Sequence, residues 1–218
     1  QVQQLKLAAL GQLSASIAHE IRNPLAAIVQ ANELLPNSTA EQQHTLSQMI
    51  NKQTQRIDKI VQDTLSMVRN KGTQPIDIQL DRFIPLFIQE DLPDLKTKIV
   101  CHIAPKLSLS FDEAQFRQVL INLIRNAIRH NSPEHSTIEL HCYAQDNNIH
   151  IDVRDFGEGV AIHDQARLFQ PFFSTEISGT GLGLYLSHSF CEANQAQLTY
   201  VEQQRGACFR LICQRAAI

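Results

Sequence analysis

A histidine followed by a carboxylate, with an asparagine three residues further on, is the first set of residues suited to chemistry. His19, Glu20 and Asn23 stand in the segment His-Glu-Ile-Arg-Asn-Pro-Leu. Neutral imidazole is a competent nucleophile toward phosphorus, and an adjacent carboxylate can hold its tautomer and accept its proton. Asn23 lies about one helical turn on and is suited to position a water molecule. The zinc-protease pattern H-E-x-x-H is excluded, because its second histidine would stand at position 23.

The helix that carries His19 should present it to solvent. Apolar residues recur every three or four positions from Leu10 to Leu35, and His19 is rotated by about 200° from this seam. An exposed helix histidine is most often an ordinary surface residue. Pro24 argues for more, because it removes a backbone N–H and clashes with the carbonyl of Glu20. We therefore expect a bend one turn past His19, in a geometry arranged for use.

Polar residues and glycines in the second half of the chain point to a nucleotide. Asn122 and Asn126 share one helix face and offer neutral oxygen ligands for a hard cation such as Mg²⁺. Asp155 follows a predicted strand and precedes Gly157 and Gly159, so it can accept a hydrogen bond from an exocyclic amine while a ligand approaches the backbone. The letters D-F-G match a protein-kinase motif, but the other motifs of those kinases are missing.

A second glycine-rich segment completes this set. Gly179-Thr180-Gly181-Leu182-Gly183 precedes a predicted helix, so its free N–H groups and the helix dipole can cradle phosphates. It matches neither the Rossmann nor the P-loop pattern. The apolar segment 168–173 before it is expected to pack in the core.

The distribution of aromatic residues divides the chain near residue 71. All ten Phe and all three Tyr lie beyond that point. Before it, two apolar stripes flank the turn Pro36-Asn37-Ser38 and predict an antiparallel helical hairpin. One hairpin buries each stripe only partly, so we expect two chains to form a four-helix bundle. A hairpin lying on the second domain of a monomer is the alternative. We predict a dimerisation hairpin over 1–70, a linker over 71–75 and a second domain over 76–218.

The second domain is predicted to be an α+β sandwich with helices on one sheet face. Segment 76–88 is apolar and ambiguous. The remaining patterns predict strands at 99–103, 138–143, 149–154, 198–201 and 208–213, and helices at 112–130 and 182–192.

Charge and cysteine content exclude several classes of protein. Nineteen Lys plus Arg against twenty-two Asp plus Glu give a net charge of −3, which offers no basic field for nucleic acid. Five cysteines without a C-x-x-C pair argue against a disulfide framework and a zinc ribbon, and favour the cytoplasm. No apolar run approaches the ~20 residues that span a bilayer. Membrane attachment is expected only through a sensor region preceding Gln1.

In their order and spacing, these segments resemble the catalytic core of bacterial two-component sensor histidine kinases. The segment from Leu7 to Ile28 is most similar to sensors of nitrogen regulation and type IV pilus regulation. The resemblance identifies a phosphoacceptor box at 19–25, an N-box at 122–130, a first glycine box at 155–159, an F-box at 169–173 and a second glycine box at 179–183.

The resemblance implies a homodimeric phosphoacceptor bundle followed by a Bergerat-type ATP-binding domain. His19 would take the γ-phosphoryl group of ATP and pass it to an aspartate in the receiver domain of a response regulator. Glu20 would act as general base, and Asn23 would assist dephosphorylation of the regulator.

The resemblance also implies the ligands of ATP and Mg²⁺. Asn126 would ligate the metal, Asp155 would read the adenine amino group, and a mobile lid would cover roughly 160–180. The residues expected at the nucleotide are Asn122, Asn126, Arg129, His130, Asp155, Gly157, Gly159, Phe172, Thr180, Gly181, Leu182 and Gly183.

Three positions depart from the family pattern. Arg129 stands where relatives often carry a phosphate-binding lysine, which keeps the charge but changes its geometry. Glu176 stands where close relatives usually have lysine, and a carboxylate facing the phosphates would repel them. Asn194-Gln195 replaces the usual pair of glycines after the last helix.

Two other functions remain open at this point. An ATPase of the gyrase and heat-shock chaperone type shares the nucleotide fold, but it needs a carboxylate to activate water where this chain has Asn122. A non-catalytic dimerising scaffold would bind nucleotide without phosphorylating His19.

Overall fold

The computed structural model describes residues 2–68, 73–176 and 179–216. The predicted seam positions Leu10 and Leu13 lie outside the described side chains, and the first linker residues, Lys71 and Gly72, lie outside the described residues. The chain divides into two compact units, one of Gln1–Asn70 with Gln170–Leu182 and one of Lys71–Phe169 with Gly183–Ile218. The predicted order, a helical hairpin followed by an α+β domain, is confirmed.

The first unit contains two long helices joined by a tight turn. Helix α1 spans Val2–Leu34 and helix α2 spans Ala40–Val68, with a 3₁₀ turn at Leu35–Asn37 between them. Thr39 and Gln42 form a reciprocal capping box at the start of α2: the Thr39 N–H donates to Oε1 of Gln42 at 2.9 Å, and the Gln42 N–H donates to Oγ1 of Thr39 at 3.4 Å. The cap satisfies helix-start N–H groups and fixes where α2 begins.

The seam between the two helices is only partly covered. Ala31 and Ile60 are buried, whereas Ile17, Ile21 and Ile57 are half-buried. Helix α1 continues through Pro24, which is itself buried. The hairpin also leaves large apolar side chains exposed: Leu25, Val29, Leu34, Met49, Val61 and Leu65.

The second unit contains seven strands and four α-helices among its described residues. They are β1 Pro75–Gln79, α3 Leu80–Asp91, β2 Ile99–Ile103, β3 Ser108–Asp112, α4 Glu113–His130, β4 Ile138–Gln145, β5 Asn148–Arg154, α5 Ile162–Gln165, α6 Gly183–Ala193, β6 Gln197–Glu202 and β7 Ala207–Gln214. Five strands form one sheet of order β2-β4-β5-β7-β6, in which β2 and β4 are parallel and the other neighbours antiparallel. A separate two-stranded antiparallel sheet pairs β1 with β3.

Alternation along the strands sets the core of the second unit. In β4, buried residues alternate with half-buried ones over most of the strand, as expected when one sheet face is covered. Helix α4 contributes a buried stripe that includes Phe116, Leu120 and Leu123. All five cysteines are free, and only Cys101 is exposed. Among the described residues, no helix combines the length and apolar character needed to cross a bilayer.

Candidate functional site

The phosphoacceptor segment lies in the middle of α1. His19 and Asn23 are exposed, as predicted, and Glu20 is half-buried. Glu20 forms an ion pair with Arg56 of α2, with 3.1 Å between Oε2 and Nη2. The sequence analysis missed Arg56, because a single arginine on a helical stripe carries no motif. The pair holds the carboxylate beside His19 against the second helix of the hairpin.

The second glycine-rich segment contacts α2 within the first unit. Thr180 is buried and donates from Oγ1 to Oδ2 of Asp63 at 3.2 Å. Nη2 of Arg56 donates to the carbonyl of Gly179 at 3.5 Å. Burial raises the pKa of Asp63, opposed by Lys59 and by the Thr180 hydroxyl. Thr180, predicted at the nucleotide, is engaged by the hairpin in this structure.

Backbone contact between Gly181 and Phe172 explains why a glycine is needed in this segment. Gly181 has φ +65°, and a Cβ there would lie 2.4 Å from the carbonyl carbon of Phe172. Phe172 itself has φ +64°, a left-handed conformation that costs about 1–3 kcal/mol for a bulky residue. Leu182, the next residue, is buried. Glu176 is fixed through its backbone, because its N–H donates to Oγ of Ser174 at 3.1 Å.

Asn122 and Asn126, the two asparagines of α4 predicted near the metal, differ in their surroundings. Nδ2 of Asn122 donates to the carbonyl of Gly183 at 3.1 Å and to Oγ of Ser187 at 3.2 Å, while its Oδ1 accepts from Gln118. Asn122 therefore ties α4 to the start of α6. Asn126 is half-buried, and its side chain makes no hydrogen bond within the described part of the chain. Its carboxamide oxygen is free to ligate a cation.

Asp155 follows β5 and is buried, with 1% of its surface exposed. Its Oδ1 accepts two backbone hydrogen bonds at 3.0 Å each, from the N–H groups of Gly157 and Ala207. Burial raises the pKa of this carboxyl, opposed by the two N–H groups and by His130. Its Oδ2 accepts no hydrogen bond from the other described residues. The arrangement fixes one oxygen and leaves the second for a ligand.

Close backbone packing surrounds this carboxylate. A Cβ on Gly157 would lie 1.9 Å from the carbonyl oxygen of His130, so no side chain fits there. A Cβ on Gly206, before Ala207, would lie 2.0 Å from the carbonyl oxygen of Asp155. The sequence analysis missed Gly206 and Ala207, because their contribution is a backbone approach from a distant turn.

Another residue that the sequence analysis missed is Asn131, directly after α4. Its Oδ1 accepts from the Phe156 N–H at 2.9 Å. Its Nδ2 donates to the carbonyl of His135 at 2.8 Å and to that of Thr137 at 3.0 Å. Asn131 thus positions the loop after Asp155, and an Asn at the end of a helix was the available signal.

The remaining predicted nucleotide residues of the second unit are exposed or begin α6. Arg129 and His130 occupy the last turn of α4, Gly159 is exposed, and Gly183 is the first residue of α6.

The apolar segment 168–173 packs in the core only at its start. Leu168 is buried, and the half-buried Phe169 ring lies 5.0 Å from that of His188. Gln170 and Pro171 are exposed, and Phe172 and Phe173 are half-buried, so the prediction of core packing is wrong for most of the F-box.

The Asn194-Gln195 pair has a structural explanation in the second unit. Gln195 has φ +58°, a conformation that glycine adopts more readily. Oδ1 of Asn194 accepts from the Asp112 N–H at 2.8 Å, and its Nδ2 donates to the carbonyl of Phe190 at 2.8 Å. Asn194 therefore caps α6 and anchors the start of α4, which a glycine could not do.

Comparisons with known proteins match a family model to each of the two parts of the chain. The His Kinase A (phospho-acceptor) domain matches residues 9–72, and the histidine kinase-, DNA gyrase B- and HSP90-like ATPase matches residues 111–217. His19 falls in the first match and Asp155 in the second.

Curated relatives give the same assignment. Sensor protein kinase PilS of Pseudomonas aeruginosa is 37% identical over 97% of this chain and 42% of its own length. Signal transduction histidine-protein kinase AtoS of Escherichia coli is 30% identical over 95% of this chain and 35% of its own length. The chain thus spans less than half the length of these relatives.

The structure of histidine kinase ThkA in complex with response regulator protein TrrA superposes with a TM-score of 0.78. It is 20% identical and covers 98% of this chain and 64% of that chain, which confirms the fold. Both family models, in this order along one chain, lead to a single assignment: the chain belongs to the histidine kinases, with a phosphoacceptor domain followed by an ATP-binding domain.

Proposed function

We propose that this chain phosphorylates itself on His19 with ATP and passes the phosphoryl group to an aspartate of a separate response regulator. The observation that carries the proposal is that one chain holds both an exposed histidine and a buried aspartate in the matching domains. His19 lies in the region matched by the phosphoacceptor domain. Asp155 lies in the region matched by the ATPase domain, and among the described residues only its Oδ1 accepts hydrogen bonds. The relatives are named sensor kinases, and one superposed structure is a kinase–regulator complex.

In the proposed reaction His19 is the nucleophile. A ring nitrogen attacks the γ-phosphorus in line, the bond to the bridging oxygen breaks, and ADP leaves. The proton of the other ring nitrogen passes to Glu20, which Arg56 holds at 3.1 Å. Asn23, exposed one turn further along, is proposed to position the water that dephosphorylates the regulator.

The ATP-binding domain supplies the nucleotide site. Oδ2 of Asp155 is proposed to accept from the exocyclic amine of adenine, since Oδ1 is already held by two N–H groups. The oxygen of Asn126 fits a Mg²⁺ ligand, because it is a neutral oxygen without a partner among the described residues. Mg²⁺ would neutralise phosphate charge during transfer. The roles of Arg129, His130 and the segment 179–183 toward the phosphates stay predictions.

The proposed partners are a second copy of this chain and a receiver domain. The exposed apolar side chains of the hairpin, among them Val29 and Leu65, support pairing into a four-helix bundle. The net charge of −3 provides no positive electrostatic field that would attract a nucleic acid. A cytoplasmic position, with the inner membrane reached through a sensor region preceding Gln1, belongs to the same proposal.

An ATPase of the gyrase type is not favoured by the site. That reaction needs a carboxylate at position 122 to activate water, and Asn122 is a neutral group whose amide already bonds Gly183 and Ser187.

Incubation with γ-³²P-labelled ATP and Mg²⁺ tests the proposal. We expect an acid-labile, alkali-stable label that H19A abolishes while ATP binding is retained. The matched control is H44A, an exposed histidine on the same hairpin whose ring contacts Gln48, and it should keep full labelling. Label that survives in H19A would contradict the assignment of His19. ATP binding without any label would favour the non-catalytic scaffold.

A further inference from the structure

Two histidines and a glutamate meet on the sheet of the ATP-binding domain, on β2 and β4. His102 on β2 is level with His141 on β4 in the parallel register, and Glu139 precedes His141 by two residues on the same face. The ligand atoms of His102, Glu139 and His141 all lie within 4.8 Å of one another. Neither the phosphoacceptor segment nor the nucleotide residues include any of them.

The geometry of the cluster favours shared coordination. The imidazole rings of His102 and His141 stack with centroids 4.5 Å apart and 24° between their planes. Nε2 of His141 lies 3.0 Å from Oε2 of Glu139. Each ring offers one nitrogen to a shared ion, and neutral imidazole is the form that binds metals.

The three side chains are also accessible to solvent and project from paired strands. His102 is exposed, while 38% of the His141 side chain and 29% of the Glu139 side chain are accessible. Adjacent paired strands fix the backbones of all three residues. Rotation of the side chains is therefore enough to shorten the distances between ligand atoms, which are at most 4.8 Å. A tetrahedral ion with bonds of about 2.0–2.1 Å needs its ligand atoms ~3.3 Å apart. The neighbouring Asp152 does not compete, because Arg210 binds both its oxygens at 2.7 Å.

We propose that His102, Glu139 and His141 form a binding site for a divalent transition metal of the zinc class. Two imidazoles and one carboxylate are a donor set that Zn²⁺ takes with a water in the fourth position. Mg²⁺ prefers an all-oxygen shell, so the Mg²⁺ that accompanies ATP does not fill this site. The proposal stands independently of phosphorylation at His19.

The test measures metal binding by the full chain, with any polyhistidine tag removed. Zn²⁺ is titrated against a chromophoric chelator in millimolar Mg²⁺, and Co²⁺ is titrated by its visible absorption. We expect one ion per chain with a Kd on the order of micromolar. Co²⁺ should give the intense bands of a four- or five-coordinate ion. A hundredfold excess of Zn²⁺ over Kd should raise the Tm by roughly 5 °C or more.

Variants separate this site from incidental histidine binding. H102A and H141A should each weaken Zn²⁺ binding at least tenfold, and E139Q should weaken it less. H102A keeps the test valid should H141A unfold, because His102 is exposed.

The matched control is H188A, which removes a histidine paired with Glu192 on α6, 3.7 Å from Nδ1 to Oε2. A Kd weaker than about 1 mM in the unaltered chain, or equal losses in H188A and H141A, would overturn the proposal.

Discussion

Replacing Asp155 by asparagine or by alanine separates its two roles, one toward the backbone and one toward adenine. Oδ1 holds the N–H groups of Gly157 and Ala207 at 3.0 Å each, and Oδ2 is left for the exocyclic amine. Asparagine keeps an oxygen for the backbone but presents an NH₂ group in place of Oδ2. Alanine removes both.

The two backbone bonds set the cost in stability. Each buried N–H left without a partner costs about 1–3 kcal/mol, so D155A should unfold more easily than D155N by about 2–6 kcal/mol. D155N should lie within about 1 kcal/mol of the original chain, because burial raises the pKa of Asp155 and the neutral amide no longer bears the cost of a buried charge. Urea unfolding measures both differences.

The bond to adenine sets the cost in affinity. A hydrogen bond to a charged group contributes about 1.5–3 kcal/mol, so D155N should bind ATP roughly 10- to 150-fold more weakly. Its new NH₂ donor should face the carbonyl of inosine triphosphate favourably. We therefore expect the preference for ATP over inosine triphosphate to fall at least tenfold, as measured by calorimetric titration. Unchanged ATP affinity in D155N would refute adenine recognition by Oδ2, and equal stability of D155A and D155N would refute the backbone role.

Three further predictions concern packing, assembly and pH. G157A should lose several kcal/mol in urea unfolding because its Cβ would meet the carbonyl of His130 at 1.9 Å, whereas the control G183A, with nothing nearer than 3.7 Å, should be at least as stable as the original chain. V29E should weaken dimerisation at least tenfold by sedimentation, since Val29 is 49% exposed; a monomeric original chain would contradict the bundle. Burial raises the folded-state pKa of Asp63 above its unfolded value of 3.8. The protonated carboxyl therefore contributes stability below pH 3.8, and this contribution is lost as the pH rises through the raised pKa. D63N should therefore gain stability relative to the original chain between pH 4 and pH 7, and a constant difference would refute this.

Sequence reasoning predicted the elements whose patterns are long or local. The helix predicted at 112–130 is observed at Glu113–His130, because its apolar stripe from Phe116 to Ala127 spans about three turns. The strand pair around Asp146 was found through its polar turn and alternation. The β1–β3 sheet was missed, although Leu109 and Phe111 alternate, because strands of five residues from distant segments carry no readable register.

The candidate site shows the same limit. Asp155 and Asn126 could be predicted as site residues because their side chains carry the proposed chemistry. Ala207 could not be, because its contribution is an N–H group brought by the β5–β7 pairing, and any residue has one. Arg56 was missed because its partner, Glu20, lies 36 residues away.

The burial of four cysteines makes the exposed one a specific chemical handle. Burial raises the pKa of the Cys142 and Cys191 thiols to about 12, so these stay protonated and shielded at neutral pH. Cys101, on β2, is the exposed thiol, although partial burial raises its pKa as well. A maleimide dye or nitroxide should thus attach at one position without a cysteine-free background. In a homodimer the two nitroxide labels would give one spin–spin distance. A change in that distance on adding ATP or Zn²⁺ would report a change in the position of β2.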